Sequence, residues 1–443
     1  MPTRRTLLIL SAAAAFFLLA AVNRAAVYIG LAADVAIVFL LLIDLSSLPG
    51  SDEVEMLRRH QRVLSLAEPN SVGLTLVNRS GRPLSGILQD NPPHQFRRSP
   101  EQLYVDVPAR SRAELDYVLV PLERGRFCFA DAVLRARGPL GLVLRDYRLS
   151  GLAGSMGGQQ DSSFVVYPSV RSTVPRRMAA LSRDMETGYH RLQRQIEGTS
   201  PSQIRQWAPG DSYRDINWKA TARYDRPMVT QYDTDRNQAI YVFVDCGRLM
   251  RTPLGPLRKL DYAVCACADL ARVATERGDH VGLCCFSDRV KVWHDAKGKR
   301  QHLLMILDSL ATLRADGSAT DYNGAVSAFL ARARRRSLCL FLTALTESES
   351  AWELMRRLRS LRPRHVPAVV SLSDPVLEEA MRHEPRNYEE ACRKLAVADL
   401  REEVELFGEK LRQSQGYFLE APADALSLAA VQTYLDAKSR GLL

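Results

Sequence analysis

Apolar positions fall into three regimes along this chain. Residues 7–22 and 25–43 are almost unbroken apolar runs, the pattern of segments that need no polar face. Sixteen such residues make about 24 Å of helix against a hydrocarbon core of roughly 30 Å. Asn23 and Arg24 separate the two runs. Residues 1–44 therefore read as a transmembrane helical hairpin, and the second run argues against a cleaved signal peptide. Asp34 lies in mid-span, where an ionisable side chain is a functional candidate or a protonated group bonded to a neighbour.

Residues 53–150 change to period-two alternation broken by Gly, Pro and Asn. Strands are predicted at 72–77, 86–89, 103–107, 113–120, 126–137 and 140–149, a spacing that suits a small β-sandwich of immunoglobulin-like outline. Residues 151–199 read as a linker, Gly/Ser/Gln-rich at first, with one short strand at 164–168. From 239 to 443 continuous apolar strands alternate with helices, which predicts a largely parallel, doubly wound α/β sheet. Asp245, Thr343 and Ser373 should then lie at the carboxyl ends of strands, where such sheets bind ligands.

Between linker and sheet, residues 200–238 carry many charges and two tryptophans without a long apolar run. Pro209-Gly210 signals a turn. Ser212 and Asp215 have capping-box spacing, so a helix is expected to start at Tyr213, with Asp215, Lys219 and Arg223 at i, i+4 spacing along it. Asp225-Arg226-Pro227 should end it before a strand at 228–232. Trp218, inside the helix, is expected to be buried, and Trp207, before the turn, to be exposed. Two readings compete: a structural plug with internally paired charges, or a partner surface formed by Arg205, Trp207, Asp211, Arg214, Asp215, Asn217, Trp218, Lys219 and Arg223. Acid–base work by Asp211, Asp215 and Lys219 is a third possibility.

The run Trp207-Ala-Pro-Gly-Asp-Ser-Tyr-Arg-Asp-Ile-Asn-Trp-Lys-Ala-Thr-Ala-Arg223 resembles the signature of the bacterial family known as domain of unknown function 58. The 138–142 run, Gly-Pro-Leu-Gly-Leu, is similar to that family's sandwich. The resemblance implies a membrane hairpin followed by a sandwich and a von Willebrand A-like α/β domain. It also implies a MoxR-type AAA+ ATPase, or another membrane or operon protein, as partner. Domains of the A type often hold Mg²⁺ through an Asp-x-Ser-x-Ser loop with later Thr and Asp ligands. Here the loop reads Asp245-Cys-Gly-Arg-Leu249, with Gly247 and Leu249 in place of the hydroxyls and Ala344 at the later Asp position. Thr320-Asp321 is the candidate for the middle ligand. A hard cation needs several oxygen ligands at fixed distances, so Asp245 reads as a degenerate position and no cofactor is expected.

Charge alters this picture little. The net +10 is spread along the chain with no nucleic-acid-reading motif, which argues against nucleic acid as partner. It suits a protein lying against an anionic inner leaflet. Arg4 and Arg5 before the hairpin, with Arg58, Arg59 and Arg62 after it, place the soluble domains in the cytoplasm and the hairpin in the inner membrane. The eight cysteines show no disulfide framework, consistent with a reducing compartment. Cys284 and Cys285 should face opposite sides of one strand. No phosphate-cradling Gly loop, His-Glu-x-x-His or Gly-x-Ser-x-Gly elbow is present. The expected function is that of a membrane-anchored, non-enzymatic adaptor. A metal-dependent ligand-binding A domain and an uncharacterised hydrolase are the alternatives.

Overall fold

A computed structural model describes residues 6–8, 11, 25–150, 152–153, 163–168, 200–208, 213, 216–233, 237–345, 348–362 and 364–441. The chain divides into two compact units, Met1–Val166 and Tyr167–Leu443.

In the first unit, helix α1 (Ala25–Ser46) matches the second apolar run. Among the described residues it is the one helix long and apolar enough to cross a membrane. Its side chains are largely exposed: Tyr28 is 75%, Val35 65% and Phe39 63% accessible. Most of the first run, and so the expected hairpin partner, lies outside the described residues.

Behind α1 come twelve strands, β1 (Val54–Arg59), β2 (Val63–Ser65), β3 (Asn70–Asn78), β4 (Leu84–Gln89), β5 (Phe96–Ser99), β6 (Leu103–Val107), β7 (Ser111–Pro121), β8 (Gly125–Cys128), β9 (Ala132–Arg137), β10 (Leu144–Leu149), β11 (Leu152–Ala153) and β12 (Ser163–Tyr167). They form sheets ordered β11-β1-β3-β7-β5, β10-β9-β4-β6 and β2-β12-β8. The alternation is visible in β6, where Leu103, Val105 and Val107 are buried and Tyr104 and Asp106 are exposed. The sequence pattern misses β1, β2 and β5. It also fuses β8 and β9 into one strand, whereas the chain breaks at Phe129–Asp131. Arg58, expected as a juxtamembrane charge, is instead buried in the sandwich. Its Nε donates to Asp90 Oδ2 at 3.1 Å, and Tyr117 donates its hydroxyl to the same oxygen at 2.6 Å. A buried guanidinium needs such a counter-charge, and this one closes the sandwich core.

The second unit opens with β13 (Ser200–Gln206), helix α2 (Trp218–Tyr224) and β14 (Met228–Asp233). β15 (Ala239–Asp245) follows, then the short pair β16 (Pro253–Leu254) and β17 (Leu257–Arg258), and α3 (Lys259–Glu276). Next come β18 (His280–Phe286), β19 (Val290–Lys297), α4 (Arg300–Thr312), α5 (Tyr322–Arg332) and β20 (Ser337–Thr343). The chain ends with α6 (Ser348–Leu361), β21 (Val366–Leu372), α7 (Pro375–Arg382), α8 (Tyr388–Gln413), β22 (Tyr417–Ala421) and α9 (Leu426–Ser439). The sheet order is β19-β18-β15-β20-β21-β22. All its neighbours pair in parallel except the edge strand β19. The chain is thus multidomain, with one described apolar helix, a β-rich domain and an α/β sheet.

The alternation of side chains across this sheet sorts two cores. Ile240, Val242 and Val244 of β15 and Cys285 of β18 pack with α3, α4 and α9. Tyr241, Phe243 and Cys284 face an aromatic-rich layer with α5, α6 and α8. Cys284 and Cys285 do take opposite faces. Residues 375–413 form two helices, α7 and α8, the second capped by Asn387, which accepts from Glu390 N–H.

His365, before β21, is 2% exposed, and neither ring nitrogen has a hydrogen-bond partner among the described residues. Burial, with Arg364 and Arg336 nearby, pushes its pKa from 6.5 down to about 4. The unfolded chain therefore binds this proton first. The stability contribution is complete above pH 6.5 and is lost as pH falls towards 4. Its full size is on the order of 3 kcal/mol. Thermal melting across this window should fall with acid in the wild type and less steeply in His365→Phe.

Candidate functional site

Two places in the second unit carry candidate chemistry: the carboxyl edge of the central sheet and the 200–233 hairpin.

At the sheet edge, β15 ends on Asp245, β20 on Thr343 and β21 before Ser373, all buried. Asp245 Oδ1 accepts from Gly247 N–H and from Thr320 Oγ1, both at 2.8 Å. Its Oδ2 accepts from Thr343 Oγ1 at 2.7 Å. Tyr322 in turn donates its single hydroxyl proton to Thr343 Oγ1 at 2.9 Å, its oxygen standing 3.4 Å from Asp245 Oδ2. Burial raises the Asp245 pKa, and these donors pull it back. Burial and the neighbouring Asp245 raise the Tyr322 pKa.

The glycine at 247 is required by this closure. A Cβ there would collide with Thr320 Oγ1, the group that reaches Asp245. Asp321 does not turn inward. Its side chain caps α5, accepting from Gly324 N–H at 2.9 Å. Among the described residues the edge therefore offers Asp245, whose oxygens already accept from the chain's own donors, and Asp316, which is taken by Ser287 and Lys291. This set does not fit the octahedral oxygen shell of Mg²⁺. Among the described residues no cluster of three or more His, Cys, Asp or Glu could hold a metal.

In the hairpin, β13 pairs antiparallel with β14 from Ser200↔Asp233 to Gln206↔Met228. Trp207 N–H donates to Pro227 carbonyl at 2.9 Å and Asn217 N–H to Met228 carbonyl at 2.8 Å. The intervening α2 starts at Trp218, five positions later than the sequence suggests. Ile216 is held extended by a bridge to Val229. Asn217 supplies the cap, its Oδ1 accepting from Ala220 N–H at 3.0 Å. Asp225, with φ of +53°, ends the helix. Thr221 Oγ1 accepts from Met228 N–H at 3.0 Å and ties the helix to β14.

The tryptophans reverse the expectation. Trp218 is 72% exposed, because α2 turns Ala220, its one buried residue, towards the hairpin. Trp207 is half-buried, with its Nε1 enclosed, and its ring stacks on the exposed Tyr213 at 5.8 Å. Lys219 and Arg223 are exposed beside Trp218, Asn217 is half-buried as the cap, and Arg205 is half-buried on β13. Asp211, Arg214 and Asp215 lie outside the described residues. The structure thus brings Trp218, Lys219 and Arg223 onto one solvent-facing surface. Tyr224 at the end of the same helix is 56% exposed, and Tyr213, 75% exposed, stacks on Trp207. The cue available in the sequence was Asn217, as good an N-cap residue as Ser212.

With Asp245 closed, millimolar Mg²⁺ should leave the melting temperature unchanged. Saturable binding would add RT ln(1 + [L]/Kd), about 2.7 kcal/mol at a hundredfold excess over Kd. A shift of that size, abolished by Asp245→Asn, would contradict the closed edge.

Residues 203–382 match the family described as "Protein of unknown function DUF58". Two uncharacterized mycobacterial proteins, Rv1480 of Mycobacterium tuberculosis and Mb1516 of Mycobacterium bovis, are each 27% identical over 180 residues. The match takes in 40% of this chain and 56% of each relative, so the chain spans about half the length of the curated relatives it matches. Among solved structures, the CARDB domain of a Pyrococcus furiosus protein aligns over 26% of the chain at 8% identity and a TM-score of 0.17. WR4, a C. elegans MSP family member, aligns over 22% at 12% identity and a TM-score of 0.15. Together the family match and the mycobacterial relatives support DUF58 as the family of the 203–382 segment, which includes most of the signature hairpin and the greater part of the α/β sheet.

Proposed function

We propose that this chain is a membrane-anchored, non-enzymatic adaptor that docks a protein partner on the exposed face of α2. The observation that carries this reading is Trp218, 72% exposed and flanked by Lys219 and Arg223 on a helix that buries Ala220 alone. Leaving an indole in water forgoes on the order of 2 kcal/mol of burial. Tryptophan and arginine are the residues that most often anchor interfaces. The plug reading needs the opposite, a buried Trp218 with charges paired inside the chain.

The apolar α1 supports the anchor, and the free cysteines support a cytoplasmic face of the inner membrane. The strand order, with an antiparallel edge at β19, supports a von Willebrand A-like domain. The signature's resemblance to DUF58 makes a MoxR-type AAA+ ATPase the candidate partner.

Trp218→Ala, and Lys219→Glu combined with Arg223→Glu, should change folding stability by no more than about 0.5 kcal/mol, as exposed sites do. Both should abolish co-purification with the MoxR-type ATPase. Variants that unfold the domain, or that leave the complex intact, would place the interface elsewhere.

A further inference from the structure

The 138–143 turn between β9 and β10 holds a carboxylate that belongs to the apolar helix. Asp44 sits in the last turn of α1, where the helix dipole disfavours an anion, and it is fully buried. The turn accounts for its position. The N–H groups of Leu140, Leu142 and Val143 each donate to the Asp44 carboxylate at 2.8 Å, an anion-binding nest of backbone amides. A Cβ at Gly138 would collide with that carboxylate, which explains the glycine that opens the 138–142 run. Thr6, at the start of the first apolar run, donates its hydroxyl to the Leu142 carbonyl at 2.5 Å. Leu142 thus receives the outer ends of both apolar runs, Asp44 on its N–H and Thr6 on its carbonyl.

The chain leaving α1 is clasped at the same level. Arg82 Nη1 donates to the Leu48 carbonyl at 3.1 Å and Arg145 Nη1 to the Pro49 carbonyl at 3.0 Å. Tyr147 donates its hydroxyl to Pro49 at 2.8 Å. An arginine carries five donors, so these bonds leave most of each guanidinium's capacity. Arg137 lays its guanidinium over Gly141. At the tip of the turn Pro139 is exposed and Leu140 is 47% exposed. Of the nearby acids, Asp44 is spent in the nest and Glu53 accepts from Gly50 N–H at 2.8 Å, while Asp52 is exposed.

We propose that the 138–143 turn is the bilayer-side foot of the sandwich. Pro139 and Leu140 enter the interfacial layer, and Arg82, Arg137 and Arg145 take the phosphates of acidic phospholipid headgroups. This rests on the reading of α1 as a membrane span. A turn bonded directly to residue 44 lies at the level where a helix ending at Ser46 leaves the hydrocarbon. Guanidinium groups at that level meet phosphate in matching bidentate geometry. The same contacts make the sandwich and the anchor one rigid piece at the membrane surface.

The test uses the full chain in vesicles of phosphatidylcholine with phosphatidylglycerol, with exposed Cys128 and Cys392 replaced by Ser. A fluorophore is attached at Leu140→Cys or at Val38→Cys, and quenchers are placed in the headgroup layer, in the acyl chains or in water. The expected result is acyl-chain quenching at position 38 and headgroup-layer quenching at 140. Asp44→Ala, removal of phosphatidylglycerol, or Gln at Arg82, Arg137 and Arg145 together should each move the 140 label towards water and leave 38 unchanged. Acyl-chain quenching at 38 with purely aqueous quenching at 140 would overturn the foot and keep the anchor. Aqueous quenching at 38 would overturn the anchor and the foot with it. A 140 label that stays in the headgroup layer without phosphatidylglycerol and without the arginines would overturn the headgroup recognition.

Discussion

The carboxylate of Asp245 is the interaction on which the edge of the α/β sheet depends. It ends β15 in the middle of the sheet, and a bare carboxylate buried there would cost several kcal/mol. Three donors from the chain, Gly247 N–H and the hydroxyls of Thr320 and Thr343, remove most of that cost. They also tie the ends of β15 and β20 to the connection between α4 and α5. The consequence is functional as well as structural. An edge whose carboxylate is satisfied from within leaves no reason to look there for a ligand, and attention moves to the surface the chain leaves unsatisfied.

That surface is the α2 hairpin. Among its described residues the backbone of Trp207, Asn217 and Met228 is hydrogen-bonded within the hairpin, so the helix is held in place by main-chain and capping bonds. The side chains of Trp218, Lys219, Arg223 and Tyr224 are then exposed. An element fixed by its backbone and exposed by its side chains suits recognition, because ordering has been achieved before any partner arrives.

Much of the fold was legible in the sequence, for identifiable reasons. β15, β18, β20 and β21 are continuous apolar runs, and nothing but a sheet covered on both faces accommodates them. Asp245, Thr343 and Ser373 were placed correctly because strand direction alone decides which end they occupy. The signature helix was misplaced because Ser212-x-x-Asp215 satisfies a local capping rule. A nonlocal bridge, Ile216 to Val229, instead holds Ile216 extended just before the Asn217 cap. Trp218 was misjudged for the same reason, since it is the first residue of the helix and not an interior one, whereas Trp207 is partly covered by the hairpin contact to Pro227 and by Tyr213. Asp44 was illegible as a contact: its partners lie 96 to 99 residues away. Arg58 was read as a surface charge because Asp90, 32 residues later, carries no sequence mark of being its partner.

The central claim is that α2 is a docking surface and not a plug. Hydrogen exchange followed by mass spectrometry, on the full chain in detergent or nanodiscs with and without the MoxR-type ATPase, tests it most directly. The account predicts that the ATPase slows exchange across residues 204–224 and leaves the α/β sheet edge at Asp245 and Thr343 unchanged. Protection confined to the sheet edge or to α7 and α8, with 204–224 exchanging as in the free protein, would contradict it.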